Sequence, residues 1–577
     1  MHFQQKEGIY YFLRFFRTIS YLKFRQIFYQ IIRRLSPKKK AFPITASVNL
    51  RPKVKMSTTL LRQMQGEENE FTFLSITKRF DSAAFDWKSP ECSRLWRYNL
   101  HYFDYLNEKN RPWKNKAFLL DSWITKNPQD TPDAWDPFPV SLRIVNWIKF
   151  FLSQEKRNNF EKHWLRSLYE QVLWLEKNIE YHLLANHYFK NGKALIFAGI
   201  FFDGNDAGRW FKKGLTIIEK EIDEQILDDG GHFERSPMYH SMILEDCLDL
   251  FNILGCSKLQ KARELRRMLS QKASAMLVFL HGMCHPDGDI ALFNDSAFGI
   301  EAQPAALGMY FEHSKGEIVQ RFTGNTRSFS QTGYYIMSPR PGDYLIIDCG
   351  PAGPDYQMGH AHCDNLSFEL SLNGYRVIVD SGCCQYEDSD IRKYNRGNLG
   401  HNTVTIDDEN QSEVWGAHRC ARRAYPLYAK LEENVMGEIR FEGAHNGYRR
   451  LKGNPIHHRK IIWKENLINI EDRIEGTGIH SIESRLHIHP ELNIQMLTNG
   501  VQVSRSGKLL LIVSAPGDRR QIEVKNGWYC PEFNKPVSCQ VIILKMDDIS
   551  LPTSFGWKID CNISSYTAKS FGWSRFC

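Results

Sequence analysis

The sequence predicts an α+β chain in two parts, a helical solenoid or toroid followed by an antiparallel β-sandwich, and three observations predict it. From about Trp87 to residue 280, apolar positions recur at helical spacing, as in Leu168, Val172, Leu175 and Ile179, which lie four, three and four residues apart. Near residue 330 the period changes: GYYIMSPRPGDYLIIDCG and KLLLIVSAP are short apolar runs bounded by Gly, Pro, Asn and Asp, the texture of antiparallel strands. At 577 residues the chain exceeds one ordinary domain, and the change of period places the main boundary between Glu312 and Gln331.

Taken in order, residues 1–45 form a basic, aromatic segment, IYYFLRFFRTISYLKFRQIFYQIIRRL at its heart. Residues 1–40 hold ten Lys and Arg against Glu7 alone, which is the whole net charge of +9. The remaining chain is electrically balanced, which gives no support to nucleic acid as a partner. Three readings of the segment stand: peripheral contact with an anionic membrane face, contact with a partner's acidic surface, or aromatic packing onto the body. Residues 46–85, with Pro43 just before them and Pro52 within, read as a linker or irregular arm. Residues 86–325 are helical in pattern, and successive amphipathic helices without intervening strands fit helical hairpins in a solenoid or toroid. Residues 326–577 are the β domain.

Arg14 and Arg17 interrupt the only apolar run near the start, so no secretory signal is expected, and no run approaches the length of a membrane span. Thirteen dispersed cysteines without a CxxC pair point to a reducing compartment. The expectation is a cytoplasmic protein, peripheral at most to the inner membrane.

The densest chemistry lies between Gly359 and His401. His360 and His362 are two apart, so an extended chain places both imidazoles on one face. Leu366, Phe368, Leu370 and Leu372 alternate with polar residues, Asn373-Gly374 is a two-residue hairpin signal, and Tyr375, Val377 and Val379 lead to Asp380. His401 follows a polar loop, so two imidazoles and a carboxylate could meet at one ion of the kind zinc represents, with His360 free beside it. Geometry raises an objection. A tight hairpin sets Asp380 opposite Ser367, about 15 Å along the strand from His362. The chain before Leu366 must then curl back or bulge.

Three patches of the helical half carry polar groups. Asn186-His187 lies at the start of an expected helix. DDGGHFERSPMYH, residues 228–240, is a Gly-rich loop with Asp228, Asp229, His232, Glu234, Arg235, Tyr239 and His240. HPDGDIALFNDSAFG, with Asp287, Asn294 and Asp295, reads as a turn before an extended segment. Taken singly, each patch is equally well explained by helix capping and turn chemistry.

Together, NHYFKNGKAL, DGGHFERSPMYH, PDGDIALFNDSA, GHAHCDNLSFEL, VIVDSG and GHNTV, in that order over roughly residues 85–570, resemble the heparinase II/III family of polysaccharide lyases. The resemblance implies an incomplete (α/α) toroid before an antiparallel β-sandwich, with the active cleft between them. By motif it makes Asn186 the residue that neutralises a uronate carboxylate, with His187 beside it. Tyr239 takes the place of the catalytic tyrosine and His360 that of the histidine contributed by the sandwich. His362, Asp380 and His401 take the places of zinc ligands around a mainly structural ion. Arg235 and Glu234 are expected to bind substrate.

The activity so implied is β-elimination on an acidic, uronic-acid glycan. Asn186, with His187 or Arg235, would stabilise the charge developing on the carboxylate; His360, His187 or Tyr239 would take the C5 proton; Tyr239 would supply one to the leaving oxygen. A link to making or trimming a bacterial surface polysaccharide is expected from the basic start. Two rivals are carried forward: a toroidal glycoside hydrolase using Asp228, Asp229 or Glu234, and a catalytically silent glycan-binding or assembly protein.

Overall fold

Two amphipathic helices, α1 (His2–Ser20) and α2 (Phe24–Leu35), lead into the body in a computed structural model that describes residues 2–36, 39–40, 48–57, 59–60, 62, 66–80, 85–154, 160–320, 322–517 and 521–561. Within the arm at 46–85 the described residues include a short hairpin, β1 (Glu70–Phe73) and β2 (Ile76–Arg79). Phe71 anchors it by edge contacts to Phe85 and Tyr105, with ring centroids 5.7 and 5.0 Å apart.

The helical domain follows as α3 (Arg94–Tyr102), α4 (Trp113–Lys126), α5 (Pro137–Ser153), α6 (Lys162–Lys177), α7 (Ala185–Phe201), α8 (Asn205–Gln225), α9 (Pro237–Leu254), α10 (Gln260–Gly282) and α11 (Pro304–Lys315). Leu168, Val172, Leu175 and Ile179 are all buried, as their spacing predicts, although Ile179 lies just past the end of α6. Two helices lie deepest. Every residue of α7 except His187 is buried, and every residue of α9 except Tyr239 and Glu245. A helix apolar on all sides belongs inside a larger core, so a polar residue that escapes burial there faces a cavity.

The β domain begins with β3 (Thr326–Phe329), β4 (Tyr334–Met337), β5 (Tyr344–Asp348), β6 (Phe368–Leu372) and β7 (Tyr375–Ile378). These run antiparallel along one half of a nine-stranded sheet, which Ile479–Ile488, Lys535–Ser550 and Gln521–Glu532 continue to the far edge. An eight-stranded antiparallel sheet, from Pro426–Glu433 to Asn493–Leu497, faces it across a shared core that includes Phe368, Leu370, Phe441, Trp463 and Trp557. Asn373 and Gly374 form the two-residue turn between β6 and β7 with φ of 51° and 89°, a conformation that favours Asn-Gly.

The loop between α10 and α11 stitches the two halves together. Asp287 receives Arg376 at 2.6 Å, the Leu292 amide donates to the Glu369 carboxylate, and the Phe298 amide donates to the Pro531 carbonyl at 2.6 Å. Read from sequence as a turn before an extended stretch, this loop is the seam of the molecule.

Candidate active site and metal-binding cluster

Tyr239 is positioned by the start of α9. The Ser236 hydroxyl caps the helix by accepting from the Tyr239 amide at 3.2 Å, and Pro237 fits the first helical position because its missing N–H would have no partner there. The phenol emerges into a cavity between the domains, also lined by Tyr102, Phe138, Lys190, Lys193 and Tyr386. The ring of His360 lies against it, with centroids 3.9 Å apart and planes inclined by 33°. Tyr239 and Tyr386 share a hydroxyl hydrogen bond at 3.1 Å. Burial pushes the Tyr239 phenol well above its usual pKa, against the pull of the Tyr386 hydrogen bond, so the resting group is protonated.

His360 is held from the seam. Its Nδ1 lies 2.9 Å from Asp295 Oδ2, and its Nε2 lies 3.5 Å from Glu234 Oε2. Asp295, fully buried, also pairs with His362 Nε2 at 2.8 Å and accepts from Arg392, whose Nη2 is 2.9 Å from Oδ2. Burial alone would raise the Asp295 pKa, but Arg392 and the two imidazoles hold it well below the usual carboxylate range. One ionised carboxylate thus fixes both histidines of the His-x-His pair and a buried arginine.

Asn186 sits at the first turn of α7 and is 1% exposed; its amide donates to both carboxylate oxygens of Glu234 at 3.0 and 3.2 Å. Glu234, expected to bind substrate, is itself buried and bridges Asn186 and His360 instead. Arg235, expected in the same role, is turned toward the β domain. Its Nε donates to the Thr332 carbonyl at 2.9 Å and its Nη1 to the Phe233 carbonyl at 2.8 Å, and it does not line the cavity. A positive φ of 58° at Arg235 directs the chain that way. His187 opens onto a neighbouring groove, with Nδ1 3.0 Å from Glu180 and its ring 4.4 Å from Phe138, a residue that lines both spaces.

The carboxylates offered for hydrolysis are engaged elsewhere. Asp229 accepts from the Thr332 amide and hydroxyl at 2.7 and 2.6 Å, and Asp228 from Gln331 at 3.2 Å. His232 and His240 pair with Gln225 and the Met276 carbonyl, so both are structural. Among the aromatics, Trp96 and Trp135 are core, whereas Tyr102 lines the cavity and Tyr98 the neighbouring groove.

The objection raised by the tight hairpin is met by a curl in the chain. Leu366 has a φ of 62°, the Ser367 amide turns back to the Asp364 carbonyl at 2.9 Å, and a bulge shifts register between Leu370 and Ser371. His362 is thereby brought to His401, with ring centroids 5.4 Å apart. Among the described residues, one group of side chains could hold a metal ion: His362, Asp364 and His401, with ligand atoms within 4.8 Å of one another. His362 Nδ1 and His401 Nε2 are buried without a hydrogen-bond partner, as two ligand atoms lacking their ion would be. Burial drives His362 down to about 3, which keeps the ring neutral as coordination requires. Asp380 is placed behind His401, its Oδ2 2.7 Å from Nδ1, and burial raises it to about 6. In this geometry Asp380 orients the imidazole, and Asp364 is the carboxylate in reach of both rings. Buried nitrogen and oxygen donors of this kind suit zinc.

Sequence reasoning passes over four members of the site. Asp295 is visible only as part of a turn, and Arg392 and Tyr386 as polar residues of a loop. Asp364 carries a signal that could have found it, since it lies two residues after His362 and repeats the spacing of the His pair.

A helical layer joined to an antiparallel sandwich, with a tyrosine from one and a histidine from the other meeting in the cleft, defines a class that family comparison names. Residues 21–307 match the heparinase II/III N-terminus and residues 323–558 the heparinase II/III-like C-terminal domain, and the chain belongs to the heparinase II/III family. It is 25% identical over 390 residues to a heparin-sulfate lyase of Bacteroides thetaiotaomicron, a match covering 60% of this chain and 53% of that protein. To the heparin-sulfate lyase of Pedobacter heparinus it is 24% identical over 463 residues, covering 74% of this chain and 66% of that one. The chain therefore spans about half to two-thirds of the length of these lyases. FtsZ-localized protein C of Caulobacter vibrioides is 22% identical over 462 residues, covering 75% and 74%. Among solved structures, a crystal structure of heparinase III superposes with a TM-score of 0.65 at 21% identity, covering 83% of this chain and 79% of that one. The toroid-then-sandwich fold expected from the sequence is borne out.

Proposed function

We propose that this protein is a polysaccharide lyase that cleaves a uronic-acid-containing glycan by β-elimination. The observation that carries the reading is the Tyr239–His360 pair, a protonated phenol against an imidazole whose Nδ1 is fixed by an ionised carboxylate. A hydrolase needs two free carboxylates across the bond, and Asp228, Asp229 and Glu234 are each engaged in hydrogen bonds.

In the proposed step His360 takes the C5 proton. The C5–H electron pair becomes the C4–C5 double bond as the C4–O bond breaks, and Tyr239 gives its proton to the departing oxygen. Asn186, the residue the family resemblance assigns to the uronate carboxylate, spends its amide on both oxygens of Glu234 here, so it would turn from Glu234 to meet the charge accumulating on that carboxylate. His187, across Phe138, contacts the glycan further along the groove. Zinc held by His362, Asp364 and His401 would supply rigidity to the loop that carries His360, the role metals take in structural sites.

The lining of the cavity bears on the glycan. Lys190 and Lys193 lie 2.8 and 2.7 Å from Asp246, and Lys193 lies 2.5 Å from Asp249, so these ammonium groups are already neutralised. A lining of closed ion pairs favours a uronate flanked by neutral sugars over a densely sulfated chain. The reading extends to bacterial surface polysaccharide made or trimmed at the membrane.

The test is ultraviolet absorbance during incubation with a panel of uronic-acid polysaccharides. Elimination produces a conjugated double bond and an absorbance rise, which Tyr239→Phe should reduce by about 10²-fold or more. New reducing ends without absorbance would establish hydrolysis. The Caulobacter relative, whose name describes a localisation, keeps a binding or assembly role in view, and retention on a glycan column without turnover would favour it.

A further inference from the structure

The helix α2 is amphipathic the wrong way round for a helix packed on a soluble body. Its single buried residue is Gln26, whose amide donates to the Leu183 carbonyl of the helical domain and the Tyr356 carbonyl of the β domain, at 3.3 and 3.2 Å. Arg25 donates to the Tyr188 hydroxyl at 3.1 Å, Lys23 pairs with Glu224, and Arg33 meets His182. The polar face is therefore the one that docks. At about 100° per residue, Phe24, Phe28, Ile31 and Leu35 fall within an arc of about 60° on the opposite side. Phe24 and Leu35 are each 80% exposed, and Phe28 and Ile31 about half so.

The helix α1 extends this surface. It is fastened to the β domain by Thr18, whose hydroxyl accepts from Trp415 Nε1 at 3.1 Å, and by Arg17, 3.5 Å from Glu413. Phe12 and Phe16 stay exposed, edge to face at 4.4 Å. A surface helix ordinarily buries its apolar stripe. Here two helices clasp both domains through polar contacts and two aromatic ones, Tyr29 on Tyr181 and Tyr11 on Trp415, and leave the stripe outside.

We infer that α1 and α2 form a docking surface for an anionic phospholipid bilayer, on which the protein lies peripherally. The occupant follows from charge. Residues 1–40 hold ten Lys and Arg against one Glu, the whole net charge of the chain, and among the described side chains Arg34 lies exposed beside Ile31 and Leu35 of the stripe. An apolar face rimmed by cations is what an interfacial helix presents to lipid. A second copy of the chain would bring the same net-positive segment against itself. No described helix is long and apolar enough to cross a membrane, so attachment is to the surface. Gln30, Arg33 and Arg34 of α2 also form one wall of the groove that holds Glu180 and His187. The membrane therefore lies beside the entrance to that groove, and glycan emerging at a bilayer surface is delivered to it.

The experiment is co-sedimentation of the full chain with vesicles of phosphatidylcholine alone and of phosphatidylcholine with phosphatidylglycerol, at about 0.15 M salt. The expected result is binding to the anionic vesicles only, weakened at least tenfold by Phe24→Glu with Ile31→Glu and by raising the salt. Unchanged circular dichroism of the variant excludes misfolding. Failure of the wild type to bind anionic vesicles overturns the proposal. So does equal binding by the variant. A concentration-dependent dimer abolished by the same substitutions, without vesicle binding, would assign the surface to a second copy instead.

Discussion

Replacing Asp295 by asparagine keeps the shape of the seam and removes its charge. Arg392, with 1% of its side chain exposed, then loses the carboxylate that neutralises it, and two imidazoles lose their shared acceptor. Removing one partner of a buried pair costs about 3–5 kcal/mol, because the other charge is left uncompensated in the interior. For a folding unit of this size each kcal/mol is about 2–4 °C, so the apparent melting midpoint should fall by about 6 °C or more. Activity should fall by about 10²-fold as well, since the substituted amide has one acceptor oxygen where the carboxylate had two, and His360 is no longer held in one tautomer. Differential scanning fluorimetry and the absorbance assay read the two effects. Adding Arg392→Met to Asp295→Asn should recover most of the stability and none of the activity. A single variant that melts within about 1 °C of wild type would refute the claim that this carboxylate carries the seam.

Further outcomes follow from the same geometry. Arg235→Ala should lower the melting midpoint, because the Thr332 carbonyl loses its donor, while leaving KM for glycan within about twofold; a large rise in KM would restore the arginine to the substrate. His362→Ala or His401→Ala should abolish stoichiometric zinc measured by mass spectrometry of the purified protein, whereas Asp380→Asn, which only reorients His401, should weaken it by about tenfold or more. Burial alone would raise Asp472, but Arg459 and His457 hold it at about 2, below the usual carboxylate range. A depressed carboxylate stabilises the fold above its unfolded pKa, by about 2 kcal/mol here, and that contribution disappears as pH falls through about 2. Melts of wild type and Asp472→Asn from pH 5 to pH 2 should therefore converge, and a gap constant across that range would contradict the assignment.

Local signals carried the fold. Helical spacing in Leu168 to Ile179 and alternation in Leu366 to Leu372 depend on near neighbours, and the structure forms a helix through Leu175 and a strand from Phe368 to Leu372 there. Tyr239 and His360 come into ring contact between the two halves, and Asn186 is buried beside them, its amide on Glu234. What the sequence hid is pairing over distance. Asp295 finds Arg392 ninety-seven residues later, and nothing beside Asp295 distinguishes it from a turn aspartate. Arg235 misled for a related reason: a cation in a loop full of catalytic motifs reads as a substrate ligand, and only its positive φ turns it to Thr332. The placement of Asp364 ahead of Asp380 depends on the curl at Leu366, which a leucine does not announce.

The stitched loop between α10 and α11 has a mechanical consequence. Because Asp295 leaves the helical layer while its partners belong to the sandwich, the two halves are welded at the point where chemistry occurs. Separating them there would take from Arg392 the carboxylate that neutralises it and from His360 and His362 their shared acceptor. On the proposed lyase reading, a long glycan would have to slide in along the trough, and turnover on long chains should be paced by threading and sideways diffusion of the polymer rather than by the jaws parting.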